Sequence, residues 1–343
     1  MKVLVTGGSG FIGSHTVVEL QHAGYDVVAL DNFENSAPEV VKNIQQITGK
    51  DFDFIQADIR NKQALNEVFV KHPDIKAVIH FAAYKAVGES VEKPLAYYEN
   101  NVGGTANLVE AMQKHGVQHL VFSSSCTVYG DVTADALPIT EDSPVVKANS
   151  PYGNTKKICE EMLFDVSKSS NTKVVALRYF NPIGAHDTAL IGELPNGVPN
   201  NLIPFVTQTA IGIREKLTVF GNDYPTRDGS CIRDFIHVVD LAKAHVKAIE
   251  FLNNNAKPFS VFNIGTGNGN TVLEVILAFE KVSGKNLNYT IGSRREGDVV
   301  QIYASCDKAL NELGWKAERS LENALETAWK WELHLQELNA VNK

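Results

Sequence analysis

Lys2-Val3-Leu4-Val5-Thr6-Gly7-Gly8-Ser9-Gly10-Phe11-Ile12-Gly13 begins as an apolar run suited to a buried strand and passes directly into a loop carrying Gly7, Gly10 and Gly13. In this order the first glycine permits a tight turn, the second lets backbone approach a pyrophosphate, and the third allows a helix to pack closely on the strand. The phosphates would rest on the N-terminus of the helix that follows. That helix is expected to reach Gln21 or His22 and stop at Gly24, after which Asp26-Val27-Val28-Ala29-Leu30 reads as a second strand ending in Asp31. Asp31 follows Gly13 by 31 − 13 = 18 residues. A carboxylate about 20 residues on can hydrogen-bond the adenosine ribose hydroxyls and repel a 2′-phosphate, which selects NAD over NADP. Gly7, Gly10, Phe11, Ile12, Gly13 and Asp31 are therefore candidate cofactor-binding residues.

Outward from this unit, strand and helix patterns keep alternating. Asp53–Gln56, Ala77–His80, His119–Phe122 and Val174–Leu177 read as short strands, separated by helical stretches such as 61–71 and 95–115. The alternation predicts an α/β fold, a Rossmann-type doubly wound parallel sheet, with a smaller, mixed α/β C-terminal substrate domain. Right-handed crossovers put the strand C-termini along one edge, where ligands bind. Asp58-Ile59, Phe81-Ala82-Ala83, Ser123-Ser124-Ser125 and Tyr179-Phe180-Asn181 each follow a strand at that edge. From Pro182 to Arg233, Gly, Pro and Asn crowd together, as in Leu194–Asn201 and Gly221–Pro225, and long structured loops of this kind suggest a substrate lid. Regular patterns resume at 238–252 and 260–264, and a helix-rich end turns polar from about 335. The expected division is a cofactor domain over 1–180, with a return at about 235–265, and a substrate domain over 181–343.

Tyr152 and Lys156 stand four apart in Ser150-Pro151-Tyr152-Gly153-Asn154-Thr155-Lys156. Pro151 suits a first helical turn, and the i, i+4 spacing puts both side chains on one face with Cβ atoms about 5–6 Å apart. An ammonium that close favours a phenolate, so Lys156 is expected to draw Tyr152 down from its ordinary pKa near 10 toward service as a base. Taken alone, the pair reads more plainly as a surface Tyr stacked on a Lys stem. The glycine loop upstream and the serine cluster between them turn the reading toward hydride chemistry.

The bulk properties set limits. The chain has 343 residues, 44% hydrophobic, and a formal net charge of −8, which argues against a nucleic-acid partner and makes any phosphate-binding cations local. Cys126, Cys159, Cys231 and Cys306 form no C-x-x-C pair, so neither a disulfide framework nor a zinc site is expected. The ten histidines show no metal-ligand spacing, and His80 reads as a sheet histidine. No apolar run reaches the roughly 18–20 residues that cross a bilayer. A cytoplasmic location without membrane contact is the expectation.

Several further segments now carry a resemblance: Lys85-Ala86-Val87-Gly88-Glu89-Ser90, Arg178-Tyr179-Phe180-Asn181-Pro182, Phe220-Gly221-Asn222-Asp223-Tyr224, Arg233-Asp234-Phe235-Ile236-His237-Val238 and Arg295-Glu296-Gly297-Asp298. With the glycine loop, the serines and the Tyr-Lys pair, nearly the whole chain resembles the extended short-chain dehydrogenase/reductase family, and within it the members that invert UDP-sugars at C4. The resemblance implies Tyr152 as the base for the sugar 4-hydroxyl, Lys156 on the nicotinamide ribose and Ser125 on the same hydroxyl. Hydride would pass from C4 to NAD, and the 4-keto sugar would turn over and take it back on its other face. It also implies a cofactor shell of Asp31, Asn32, Asn35, Ser36, Asp58, Ile59, Phe81, Ala82, Lys85, Asn100, Ser125, Tyr152, Lys156 and Phe180. The UDP-sugar contacts implied are Asn181, Asn201, Leu202, Phe220, Arg233, Arg295 and Asp298. Arginine forks suit a diphosphate and Phe220 offers a face for uracil.

Plainer readings stand beside these. Ile59, Phe81 and Phe220 fit a core, Arg233 and Arg295 surface ion pairs, Asn201 a turn, and Asp58 a helix cap for the stretch at 61. A 4,6-dehydratase would need an acid pair where Cys126 and Thr127 stand. A UDP-glucuronate decarboxylase and a non-catalytic NAD-binding regulator are the other competitors. The resemblance further implies a homodimer built on helices at about 95–115 and 153–168, for which Leu108, Val109, Met112, Ile158, Met162 and Leu163 are the apolar candidates. It also gives Ile302 the position beside the sugar C2, where a large residue would exclude N-acetylated sugars. Ile is intermediate in size, so UDP-glucose and UDP-galactose are expected as main substrates, with slower action on UDP-GlcNAc and UDP-GalNAc.

Overall fold

The computed structural model describes residues 1–295 and 298–341. Glu296 and Gly297, in the middle of one of the quoted motifs, therefore lie outside the described residues. Seven parallel strands form the main sheet, in the order Phe259–Ile264, Lys173–Tyr179, His119–Ser123, Ile75–His80, Lys2–Thr6, Asp26–Asp31 and Asp53–Gln56. The order doubles back between Lys2–Thr6 and Ile75–His80. A crevice opens at such a reversal, outside the strand ends, because the connections on either side run to opposite faces of the sheet.

Period-two alternation divides the sheet into two cores. Val3, Val5, Val27, Ala29, Ala77 and Ile79 pack on one face with Val17, Leu20, Leu241 and Ile249 from the helices Phe11–His22 and Val238–Asn254. Leu4, Val28, Leu30, Val78, Leu120 and Val174 point the other way, against Leu65, Phe69, Leu108, Met112 and Leu163. Burial on both faces is why these strands read as continuous apolar runs.

This packing corrects the expected dimer surface. Leu108, Val109, Met112 and Leu163 belong to the second core and are buried, while Ile158 and Met162 are only half-buried. The stretch 95–115 is also not one regular helix. It consists of Pro94–Tyr97, a π-helical turn Tyr98–Gly103, and Gly104–Lys114.

A third core, with Ile203, Val206, Val219, Phe235, Phe279, Leu325 and Trp329, lies under helices Leu202–Ala210, Val272–Ser283 and Leu321–Val341. The Gly- and Pro-rich stretch thus contains a helix, and the polar C-terminal segment continues one. A small fourth cluster of Cys126, Val128, Tyr129, Ile139, Phe180, Ile302 and Ala304 joins the segment after the serines to Ile302. Among the described residues no helix is long and apolar enough to cross a membrane.

Candidate active site

One cavity of about 1780 Å³ runs along the crevice from the glycine loop to Arg233 and Arg295. Single-ligand pockets are typically about 300–1,000 Å³, so this one has room for a dinucleotide and a second substrate together.

At the dinucleotide end, Gly7 has φ +71°, and a Cβ there would lie 2.8 Å from the Ala82 nitrogen. A Cβ on Gly13 would lie 2.0 Å from the Gly7 carbonyl oxygen, whereas one on Gly10 would meet only that oxygen, at 3.3 Å. The first and third glycines are thus required by the protein's own packing, and the second leaves free space on the cavity side. Gly8, which the motif does not single out, is also tight, since its Cβ would lie 2.7 Å from that of Ala29. Gly10 caps the helix Phe11–His22 without a side-chain bond, so its first amides remain available to an anion.

Asp31 is buried and already ordered. It accepts from the Ser9 amide at 3.2 Å, the Phe33 amide at 2.9 Å and the Ser36 hydroxyl at 3.1 Å. Asn32, Asn35, Ser36, Ile59, Phe81, Ala82, Lys85 and Asn100 line the same cavity with Phe11 and Ile12. Ile59 is both core and wall. An NAD molecule fits this donor set: open backbone at Gly10, unspent helix amides and a carboxylate at the end of the second strand. Asp58 does not line the cavity. It is held by the Arg60 guanidinium at 2.6 Å and by Asn32 at 3.0 Å, and the Arg60 hydrogen bond draws its pKa down to about 2. The helix cap at this point is Asn61, which accepts from the Ala64 amide.

Tyr152 and Lys156 come together on the helix Pro151–Ser169, which Ser150 caps by accepting from the Gly153 amide at 3.1 Å. Both are buried and both line the cavity. The Lys156 ammonium donates to the Ser123 carbonyl at 2.7 Å and lies 4.9 Å from the centre of the Phe122 ring. Burial lowers the Lys156 pKa to about 8. Burial, and then Tyr179 nearby, raises that of Tyr152 well above 10, against a lowering hydrogen bond from Ser125. The expected depression of the Tyr152 pKa by Lys156 is thus not seen here: desolvation of the phenolate is the largest influence on it.

Ser125 and Phe180 flank the cavity without lining it. Ser125 accepts from the Thr127 amide and hydroxyl and contributes to the Tyr152 environment from behind the wall, while Phe180 packs into the fourth cluster. His80 is buried between the hydroxyls of Thr6 at 2.7 Å and Thr105 at 3.0 Å, and burial lowers its pKa to about 3.

At the far end, Arg295 donates to Asp298 at 2.6 Å, and the Arg233 guanidinium lies 3.8 Å from the same carboxylate. Two guanidiniums share one carboxylate, leaving a net positive site of the kind a diphosphate would occupy. Asn181, Asn201 and Ile302 line this half; Leu202 packs against the third core, and Phe220 is exposed with Arg295 5.6 Å from its ring centre. Three more wall residues have a part the sequence does not give them: Tyr179 and Thr127 stand there at the strand edge and beside Ser125 without a role, and Glu193 is not singled out at all. Tyr179 receives the Ser123 hydroxyl at 2.9 Å, Thr127 hydrogen-bonds Ser125, and Glu193 accepts from Lys85 at 3.1 Å and Asn201 at 2.6 Å. Glu193 carries no local motif, and only its distant partners reveal it.

The geometry agrees with what known proteins show. Residues 3–265 match the family described as the NAD dependent epimerase/dehydratase family. The chain belongs to the NAD-dependent epimerase/dehydratase family. A UDP-glucose 4-epimerase of Bacillus subtilis (strain 168) is 53% identical over 333 residues, covering 97% of each chain. A UDP-glucose 4-epimerase from Stenotrophomonas maltophila, crystallised with NAD and formylated UDP-arabinopyranose, superposes with a TM-score of 0.95 at 46% identity, over 98% of this chain and 99% of that one. The enzyme from Bifidobacterium longum, in complex with NAD+ and UDP, gives 0.93 at 46% identity over 97% and 98%. The Stenotrophomonas maltophila and Bifidobacterium longum structures each hold a dinucleotide and a uridine nucleotide together, the occupancy that the cavity volume here accommodates.

Proposed function

We propose that this chain interconverts UDP-glucose and UDP-galactose. The observation that carries the reading is the buried Tyr152, Ser125 and Lys156 group midway along one cavity, between a dinucleotide cradle and a pair of arginines. Arg233 and Arg295 anchor the UDP diphosphate, and Asn181 and Asn201 hold the sugar. Tyr152 takes the proton from the 4-hydroxyl as C4 is oxidised and returns it after the sugar has turned over. Ser125 donates a hydrogen bond to the oxygen at which charge develops, and the Lys156 cation favours the phenolate. When bound, NAD supplies the hydride acceptor at C4 and gives the same hydride back, so none is consumed. Remote binding at the arginines lets the reacting ring be held loosely enough to rotate.

Competing reactions lack their groups. Dehydration needs a carboxylic acid beside Ser125, and the position holds Cys126, whose thiol burial pushes up to about 12. A regulator without turnover has no use for a buried Tyr and Lys opening onto the cavity with a Ser directly behind them.

A two-fold dimer is part of the same reading, through Val87–Tyr97 and the helix Pro151–Ser169. Val87, Val91, Leu95 and Phe164 are exposed there, and an isologous pair would cover them. A cytoplasmic setting is supported by four free cysteines, three of them buried. For sugar choice, Ile302 packs with Cys126 and lines the cavity, a branched wall that admits an acetamido group with reduced rate.

Tyr152→Phe tests the chemical assignment. It should lower kcat by about 10³-fold, within the usual range for an acid–base group, with UDP affinity and melting temperature retained. Near-normal turnover in that variant would remove Tyr152 from the mechanism.

A further inference from the structure

Ser125 caps a short 3₁₀ turn, Cys126–Tyr129, by accepting from the Thr127 amide at 3.2 Å. Its hydroxyl oxygen accepts a second bond, from the Thr127 hydroxyl at 3.0 Å. A serine hydroxyl has two acceptor lone pairs and one proton. Both acceptor sites are occupied by the same residue, so the remaining proton is left to point away from Thr127, and Tyr152 and Cys126 are the side chains near enough to feel it. Thr127 itself is held at this distance by packing. A Cβ on Gly153, next to Tyr152, would lie 3.2 Å from the Thr127 carbonyl oxygen and 3.3 Å from its Cβ, so the catalytic helix rests directly on the Thr127 turn.

We propose that Thr127 is a positioning residue for the epimerisation: it fixes the single Ser125 proton on the side where the Tyr152 and sugar oxygens would meet, and prevents Ser125 from acting as an acceptor there. The proposal rests on the reading of Tyr152 as the base. A donor aimed at the phenolate stabilises its charged form. Tyr152 otherwise faces groups that disfavour that form: Tyr179 from strand Lys173–Tyr179, Cys126 from the 3₁₀ turn and Tyr97 from helix Pro94–Tyr97. Lys156, four residues on along the same helix and buried with it, is the cation of the site. If Ser125 were free to rotate, its lone pair would face the phenolate part of the time and the stabilisation would be diluted.

Thr127→Val removes the hydroxyl donor and keeps shape and amide; Thr127→Ser restores the hydroxyl, and Thr127→Ala serves if the Val variant does not fold. With UDP-galactose as substrate, Thr127→Val should lower kcat about tenfold and move the acid limb of the pH–rate profile up by about one unit, the two being equivalent on the free-energy scale. KM and NAD content should stay unchanged, Thr127→Ser should recover the wild-type profile, and in a Ser125→Ala background the substitution should cost nothing further. The tyrosinate absorbance that Tyr152→Phe lacks gives the Tyr152 titration without any substrate, so it reads the proposal even if the assignment of the sugar is wrong. An unshifted Tyr152 titration in Thr127→Val, or a loss that multiplies fully with Ser125→Ala, overturns it.

Discussion

The Lys156 ammonium donates to the carbonyl oxygen of Ser123 at 2.7 Å, which ties the cation on the helix of Tyr152, the proposed base, to the end of the strand that leads into Ser125. The anchor orients a buried charge that the protein makes costly, since burial lowers the Lys156 pKa to about 8.

Lys156→Met should therefore have two separable effects. In the catalytic complex the phenolate loses its cation, so the rise of rate with pH should move to higher pH, with weaker NAD retention. For folding stability the sign is different. Between pH about 8 and 10.5 the unfolded chain binds more protons at this site than the folded one, so wild-type stability rises with pH across that window relative to the Met variant. Urea denaturation at pH 7 and 10 checks the second effect. An unmoved pH–rate profile would reduce Lys156 to a structural residue.

Gly10→Ala and Gly13→Ala should fail in different ways. A Cβ on Gly13 would lie 2.0 Å from the Gly7 oxygen, while one on Gly10 touches only that oxygen, at 3.3 Å. Gly13→Ala should lower the melting temperature substantially, and Gly10→Ala should keep it within a few degrees yet purify with little bound NAD. Calorimetry alongside the absorbance of released dinucleotide distinguishes the two.

Local patterns made much of the fold legible. Asp53–Gln56 is a strand at the limits the residues suggest, and the first helix ends at His22 before Gly24, because turn chemistry and periodicity act over a few residues. The π-helical turn at Tyr98–Gly103 was not legible, since a single such turn shifts the helical phase at one place only and carries no residue signature of its own. It brings buried Asn100 to the cavity and lets Asn101 hold the Tyr84 backbone at 2.8 and 3.0 Å. The Tyr152 environment shows the same limit. Spacing reveals Lys156, but not the burial that dominates at Tyr152, nor the added influence of Tyr179, Cys126 and Tyr97, which arrive from three other segments. The lysine, asparagine and tryptophan partners of Glu193 are 108, 8 and 138 residues away.

Ile302 should set the sugar range. It is 5% exposed and packs with Cys126 and Phe180 at the cavity wall. Ile302→Tyr should suppress interconversion of UDP-GlcNAc and UDP-GalNAc about tenfold or more, in line with the roughly 1–3 kcal/mol that a pocket exerts against a small group, and leave UDP-galactose turnover within a factor of about two. Equal loss of both activities would mean that Ile302 is not the gate.

The central claim is a reaction that oxidises and re-reduces the same carbon without net consumption of cofactor. Purified protein incubated with UDP-galactose, with no NAD added, should yield UDP-glucose at equilibrium and no other nucleotide sugar by chromatography and NMR. Absence of conversion with NAD demonstrably bound, or accumulation of a dehydrated or decarboxylated product, would contradict the account.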